Sequence, residues 1–169
     1  MNARKNILYI VIIFVSVVID QVVKYLCSLY IKPIGSVSII DNIIGLRYCE
    51  NTGAAFSILE GKTWFFIILT TLLVLVFGTY LFAGKIMTTA AAISVSFIVA
   101  GGLGNLIDRC LHGYVIDMFE FLFIDFAIFN VADVFVTCGA VVFILCYAFS
   151  RREVIEWNLF RSRKTPEDD

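Results

Sequence analysis

Four long apolar segments divide the chain, and shorter polar segments separate them. The apolar segments cover about residues 6–28, 63–84, 86–108 and 128–150. A helix of about 20 residues crosses the roughly 30 Å of hydrocarbon in a bilayer. Helices also satisfy their own backbone hydrogen bonds, as an open-ended span in lipid must. The pattern therefore predicts four transmembrane helices in a single membrane domain of residues 1–169.

Two of the connecting segments have patterns of their own. Residues 33–61 contain two β-like runs, 37–40 and 43–48, around a turn at Asp41-Asn42, which predicts a small sheet. The segment 109–127 is rich in phenylalanine with acidic residues interspersed, a pattern typical of a short amphipathic element at the membrane interface.

Composition agrees with a membrane protein. Hydrophobic residues make up 60% of the chain and charged residues 16%, and the mean hydropathy is +0.93. Soluble domains average about 25% charged residues, so this chain has too little polar surface to cover a globule in water. The net charge of −1 leaves no basic excess for phosphates, which argues against a nucleic-acid partner.

The N-terminus resembles a secretory signal in having Arg4 and Lys5 before an apolar run. A small-residue cleavage site is missing, and Asp20 and Lys24 stand where cleavage would be expected. We therefore expect the segment to be retained as the first span.

The distribution of basic residues predicts the orientation, because cytoplasmic segments carry more lysine and arginine. With a cytoplasmic N-terminus, eight basic residues lie inside and five outside. Both termini are then cytoplasmic, with a cytoplasmic tail of 151–169, and the segments 33–61 and 109–127 lie outside. The tail from Glu153 is expected to be an interfacial or disordered end.

The polar side chains of the spans collect at the outer end. They are Asp20 and Lys24 in the first span, Asn105, Asp108 and Arg109 in the third, and Asn130 and Asp133 in the fourth. Spacings of three and four residues place each set on one helix face. Asn51 and Asp117 join them from the outer segments. An intramembrane charge costs roughly 2.5–3.5 kcal/mol on insertion scales, so such a cluster indicates a functional site.

Each cluster also has a structural interpretation. Asp20 and Lys24 form a possible i,i+4 ion pair, and Asp108 with Arg109 a possible interfacial cap. The glycine-rich stretch 100–104 favours a close-packing helix face over a phosphate loop, since it lacks the lysine and the preceding strand of such loops.

The candidate chemistry is that of two carboxylates. His112 is the single histidine, the five cysteines show no C-x-x-C spacing, and we expect neither a metal nor a cofactor. The sequence leaves open whether Cys49 and Cys110 form a disulfide. Asp117 and Asp133 suit a pair in which one carboxyl keeps its proton while the other is ionised, as in aspartic proteases.

At these residues the sequence resembles the lipoprotein signal peptidases, the type II signal peptidases of bacteria, over about residues 6–150. The resemblance is carried by five motifs in a fixed order. They are Asp20-Gln21-x-x-Lys24, Asn51-Thr52-Gly53-Ala54-Ala55-Phe56, Gly101-Gly102-x-Gly104-Asn105-x-x-Asp108-Arg109, Val115-Ile116-Asp117 and Phe129-Asn130-Val131-Ala132-Asp133. One departure is Ala127, where the family often carries proline.

The resemblance implies an all-α integral membrane fold with four transmembrane helices, a small extracytoplasmic β-cradle and a short interfacial helix. It implies an aspartic endopeptidase of the bacterial cell membrane, with its active site at the outer face. The substrates would be lipid-modified preprolipoproteins, cut just before the diacylglyceryl-modified cysteine, and membrane lipids would be the other partners. Asp117 and Asp133 match the catalytic pair. The substrate-binding or supporting positions are Asp20, Lys24, Asn51, Gly53, Gly104, Asn105, Asp108, Arg109, Asn130 and Ala132.

Two other functions remain in view from the residues alone. A proton- or ion-coupled small membrane transporter would use Asp20 and Asp133, although transporters tend to show internal repeats and sites near the midplane. A scaffold protein would use the polar residues only as helix caps.

Overall fold

The computed structural model describes residues 3–53, 59–86 and 88–163. The chain forms α1 (Ala3–Tyr30), β1 (Ser36–Ile40), β2 (Ile44–Asn51), α2 (Thr63–Phe82), α3 (Thr89–His112), β3 (Val115–Phe121) and α4 (Val131–Arg163). Within these residues, four helices are long and apolar enough to cross a membrane. The predicted architecture of four spans and a small sheet is confirmed.

Helix α3 lies at the centre of the bundle. Half of its most apolar window is buried inside the protein, against 17% or less for each of the other three helices. It packs against α1, α2 and α4, whereas the outer faces of those helices are apolar and exposed, as lipid contact requires.

Glycines let α3 and α4 approach closely, as the stretch 100–104 predicted. A Cβ atom on Gly101 would overlap the carbonyl oxygen of Ala132, and one on Gly139 would lie 2.7 Å from the carbonyl oxygen of Ser94. Because any larger side chain would separate the helices, these glycines determine how near the start of α4 comes to α3.

The first outer segment forms the predicted hairpin. Strands β1 and β2 are antiparallel, and Asn42 in the turn has a φ of 58°, a left-handed conformation that asparagine tolerates well. A register shift between Ser38 and Ile40 interrupts the ladder.

The second outer segment, expected as a short amphipathic interfacial element, forms a strand. Residues 109–112 complete α3, and Val115–Phe121 form β3, the third strand of the antiparallel sheet β1-β2-β3. The strand pairs with β2 on one side, and Phe119 exchanges backbone hydrogen bonds with Phe129 on the other, at 2.8 and 3.1 Å. A helix in the same place would leave the edge of β2 unpaired, so the strand is favoured.

The C-terminal segment is helical where a disordered end was one of the two expectations, and the other, an interfacial position, stays a prediction. Helix α4 continues past its apolar span, which ends at Phe149, as far as Arg163. The part of the tail at 151–163 is therefore helical, and 164–169 lie outside the described residues. Residues 54–56 of the second motif lie outside them as well.

Candidate active site

The start of α4 is held by a reciprocal cap. The Oδ1 atom of Asn130 accepts the Asp133 amide at 2.9 Å, and Asp133 Oδ2 accepts the Asn130 amide at 3.0 Å. This is a capping box, in which the residue before the helix and the third helical residue satisfy each other's amide. It fixes the direction of the Asp133 carboxylate at the positive end of the helix dipole.

Asp117 lies opposite, on β3, and is 2% exposed. Its two carboxyl oxygens accept one side-chain amide each, from Asn130 at 2.6 Å and from Asn51 at 2.9 Å. Asn130 therefore contacts both aspartates, since it also caps Asp133. Asn105 completes the link by donating to Asp133 Oδ1 at 2.8 Å.

Both aspartates line one cavity of about 500 Å³. Its polar lining is formed by Asn51, Asn105, Arg109, Asp117 and Asp133, and its apolar lining includes Phe121, Phe126, Phe129 and Val134. The cavity thus combines an apolar surface with two carboxyl groups at its polar end, the usual composition of a ligand pocket.

The environment of Asp117 favours its protonated form. Burial, and after it the negative charge of Asp133, raise the pKa of Asp117 to about 7, although the hydrogen bonds from Asn51 and Asn130 act in the opposite direction. Near neutral pH, Asp117 consequently binds a proton much more strongly than an aspartate in water.

A buried lysine lies beneath this pair. The Lys24 ammonium, 2% exposed, contacts the carboxylates of Asp20 and Asp108 at 2.9 Å each and donates to Asn105 Oδ1 at 2.9 Å. Asp20 accepts the amide of Ala132 at 2.9 Å, and Asp108 accepts the amide of Ile116 at 3.1 Å. The network thus joins α1 and α3 to α4 and β3.

Gly104 makes room for this network. A Cβ atom there would lie 2.5 Å from Asp20 Oδ2 and 3.3 Å from the Ala132 side chain. Glycine is therefore required at this position for the carboxylate to reach the start of α4.

Arg109 and Asn51 hold the segment after β2. Arg109 donates to the Gly53 carbonyl oxygen at 3.0 Å, and its guanidinium lies 5.1 Å from the ring centroid of Phe66. The Gly53 amide donates to Asn51 Oδ1 at 2.9 Å, which turns the Asn51 amide group toward Asp117. The Arg109 Nε atom is buried without a hydrogen-bond partner in the described structure.

All of the residues that the sequence singled out for this site come together in it. They are Asp20, Lys24, Asn51, Gly53, Gly104, Asn105, Asp108, Arg109, Asp117, Asn130, Ala132 and Asp133.

Gln21 is a member that the sequence prediction omitted from the site. Its side-chain amide donates to Asp20, Asp108 and the carbonyl oxygen of Gly104 at 3.0–3.2 Å. The signal was present, because Gln21 precedes Lys24 by three residues and therefore shares a helix face with it. Cys49 and Cys110, whose pairing the sequence left open, are free thiols.

The sequence model of the signal peptidase II family matches residues 12–149. A lipoprotein signal peptidase of Lactiplantibacillus plantarum is 42% identical over 140 residues, which are 82% of this chain and 91% of that protein. One from Streptococcus pyogenes is 38% identical over 143 residues, 84% of this chain and 93% of its own length.

Two solved bacterial membrane enzymes, both determined by the in meso method, have the same fold. One aligns with a TM-score of 0.78 at 30% sequence identity and covers 95% of this chain and 94% of its own. The other aligns with a TM-score of 0.74 at 34% identity and covers 82% of this chain and 91% of its own. From the family match, the identities over most of the chain and the shared fold, the chain belongs to the signal peptidase II family and is an aspartic peptidase of a bacterial membrane.

Proposed function

We propose that this enzyme removes the signal peptide from prolipoproteins by cleaving just before the diacylglyceryl-modified cysteine, with a water molecule activated by Asp117 and Asp133. The observation that carries the proposal is that both aspartates line one cavity, while the pKa of Asp117 is raised to about 7. Asp117 then keeps its proton up to about neutral pH, beside a second carboxyl that is held at a helix N-terminus, where a negative charge is favoured.

The protonation of the two carboxyl groups suggests which acts as the base and which as the acid. Asp133 accepts two N–H groups and takes a proton from the water, which attacks the carbonyl carbon of the scissile bond. Asp117 gives its proton to the carbonyl oxygen, and a tetrahedral diol results. When the diol collapses, Asp133 passes the proton that it took from the water to the leaving nitrogen, and Asp117 takes a proton back from one diol hydroxyl as the C–N bond breaks. The products are a carboxyl group and the free amine of the cysteine, and the pair returns to its starting state.

The neighbouring polar groups hold this geometry. Asn130 contacts Asp117 and caps Asp133, so it keeps the two carboxyl groups in a defined relation. Arg109, which lines the cavity and has one unpaired nitrogen among the described residues, supplies a cationic donor for the substrate backbone. Donors that are fixed before the reaction act most strongly where water is excluded.

The orientation of the bundle supports a site at the outer face. Asp20 lies in the C-terminal half of α1, Asp108 near the C-terminal end of α3 and Asp133 at the start of α4, so the site lies toward one end of the bundle. Basic residues are more numerous at the other end of the bundle, where both termini lie. This excess favours a cytoplasmic position for the two termini. The lipid chains of the substrate would then stay in the outer leaflet, next to the apolar cavity.

The proposal is tested with purified enzyme in lipid-containing micelles and a diacylglyceryl-modified preprolipoprotein. Asp117→Asn and Asp133→Asn are each expected to lower the turnover rate by at least about a thousandfold, because an amide neither accepts nor supplies the proton. Asp41→Asn, at the exposed hairpin turn, is the matched control and is expected to cleave at the wild-type rate.

Mass spectrometry of the products locates the cleaved bond, which we expect directly before the modified cysteine. The same preprotein without its diacylglyceryl group should be cleaved much more slowly. Wild-type turnover by both folded Asp→Asn variants would contradict the catalytic pair, and cleavage elsewhere would contradict the proposed bond.

A further inference from the structure

Each of the two aspartates of the pair is preceded by a residue whose amide is bound to a buried carboxylate. Ala132, directly before Asp133, donates its amide to Asp20 at 2.9 Å. Ile116, directly before Asp117, donates its amide to Asp108 at 3.1 Å. The backbone at both reacting positions is therefore attached to side chains of α1 and α3.

The two anchoring carboxylates are joined to each other by one cation. Lys24 contacts Asp20 and Asp108 at 2.9 Å each, and its third N–H reaches Asn105 Oδ1, also at 2.9 Å. All three hydrogens of the ammonium group thus have a partner. Asn105 in turn donates to Asp133, so the third contact leads to the same site.

We propose that Lys24 is a positioning residue that sets the separation of Asp117 and Asp133 by holding Asp20 and Asp108 together. This inference rests on the proposed function, since it assigns Lys24 a role only if the two aspartates react. Lys24 lies outside the lining of the cavity and acts through the backbone of Ile116 and Ala132. Without the ammonium, the bridge between the two buried side chains is lost, and β3 is no longer held in a fixed position relative to α4.

The burial of Lys24 supports this role over a general contribution to solubility or to surface charge. At 2% exposure it has given up nearly all of its hydration, and its partners are equally buried. Such a group stays charged only where partners surround it, and here the partners are the anchors of the pair. Gln21 spans the same two carboxylates at 3.2 and 3.0 Å but without a charge to oppose their repulsion.

The experiment removes the bridge without changing the buried net charge. In Lys24→Met/Asp108→Asn, one cation and one anion are lost together, and the introduced asparagine keeps an oxygen for the Ile116 amide. Lys24→Met/Asp20→Asn does the same on the other side. Lys32→Met, which removes an exposed lysine bonded to Glu50, is the matched control.

The readout is the turnover number and KM per folded, inserted enzyme with the lipid-modified preprotein. We expect both double variants to lose on the order of a hundredfold in turnover with KM changed less than about threefold, because a displacement of about 1 Å in a reacting group has that effect on rate. A merely structural role would lower the thermal midpoint and the folded fraction but leave the turnover of the folded fraction unchanged. The control should match the wild type in both constants.

The possible failures are distinguishable. If Asp117→Asn and Asp133→Asn retained activity, the proposed function itself would be wrong. If those two variants were inactive while either folded double variant turned over at the wild-type rate, only the positioning role of Lys24 would be overturned. If neither double variant could be recovered folded, Lys24 would be required for folding and the positioning role would also fall.

Discussion

Asn130 and Asp133 cap each other across the first turn of α4, with side-chain to amide distances of 2.9 and 3.0 Å. The same asparagine donates to Asp117 at 2.6 Å and to Asn105 at 3.0 Å. One residue thus starts a transmembrane helix and connects the two carboxyl groups of the site. Stability and activity are coupled at this position, and substitutions separate them.

Asn130→Ser is expected to keep the helix cap and lose activity, whereas Asn130→Ala should lose both. Serine caps helices about as well as asparagine, but its side chain is too short to reach Asp117 or Asn105, and alanine provides no cap. The free energy of unfolding of the alanine variant should therefore be lower than that of the serine variant by about 1 kcal/mol. Thermal unfolding in detergent and the cleavage assay measure the two effects, and equal midpoints for serine and alanine would contradict a role for the cap.

Asp117→Asn should be inactive, and its stability relative to the wild type should increase with pH. The folded-state pKa of Asp117 is raised from 3.8 to about 7, so folding binds a proton and the wild type loses stability as the pH rises through this range. Asparagine does not titrate, and because its NH2 group replaces one of the two accepting oxygens, it loses one hydrogen bond at every pH. The thermal midpoint of the variant minus that of the wild type should therefore be more positive at pH 8 than at pH 5, and a difference independent of pH would contradict the raised pKa.

Asn51→Ala should move the alkaline limb of the activity profile to higher pH. The Asn51 amide donates to Asp117 at 2.9 Å and lowers the pKa of that carboxyl, so its removal lets the pKa rise. The protonated form, which donates to the substrate carbonyl, then persists further into the alkaline range. Cleavage rates between pH 6 and 9 test this, and a limb at lower pH would count against Asp117 as the acid.

Gly104→Ala should destabilise the enzyme by about 1–3 kcal/mol and reduce its activity, because the new methyl group would lie 2.5 Å from Asp20 Oδ2. Gly78→Ala is the matched control. It lies in α2 with nothing within 4 Å of an added Cβ, and alanine favours helix over glycine, so its stability should be unchanged or slightly higher. Similar midpoints for the two variants would contradict the close approach of Asp20 to α3.

The hairpin of β1 and β2 was predictable from the sequence, whereas the strand conformation of β3 was not. Residues 37–48 carry their own alternation and turn, so the hairpin was predictable from local pattern alone. Val115–Phe121 lies in the segment 109–127, whose phenylalanines and acidic residues predict only an amphipathic interfacial element. Its strand conformation depends on pairing with β2, which is far away in sequence, and with Phe129, which lies beyond the next loop.

The hydrophobic pattern by itself determined four spans, since a bilayer accepts only segments of sufficient length that satisfy their own backbone. The spacing of the polar residues determined which helix faces and which end of the bundle would carry the site. The tertiary structure alone decided how those residues are connected: that Asp20 caps α4, that Asp108 anchors β3 and that Lys24 joins the two. The reason is physical, because hydrogen bonds and ion pairs reach only about 3 Å, and which groups come within that distance depends on how the helices pack.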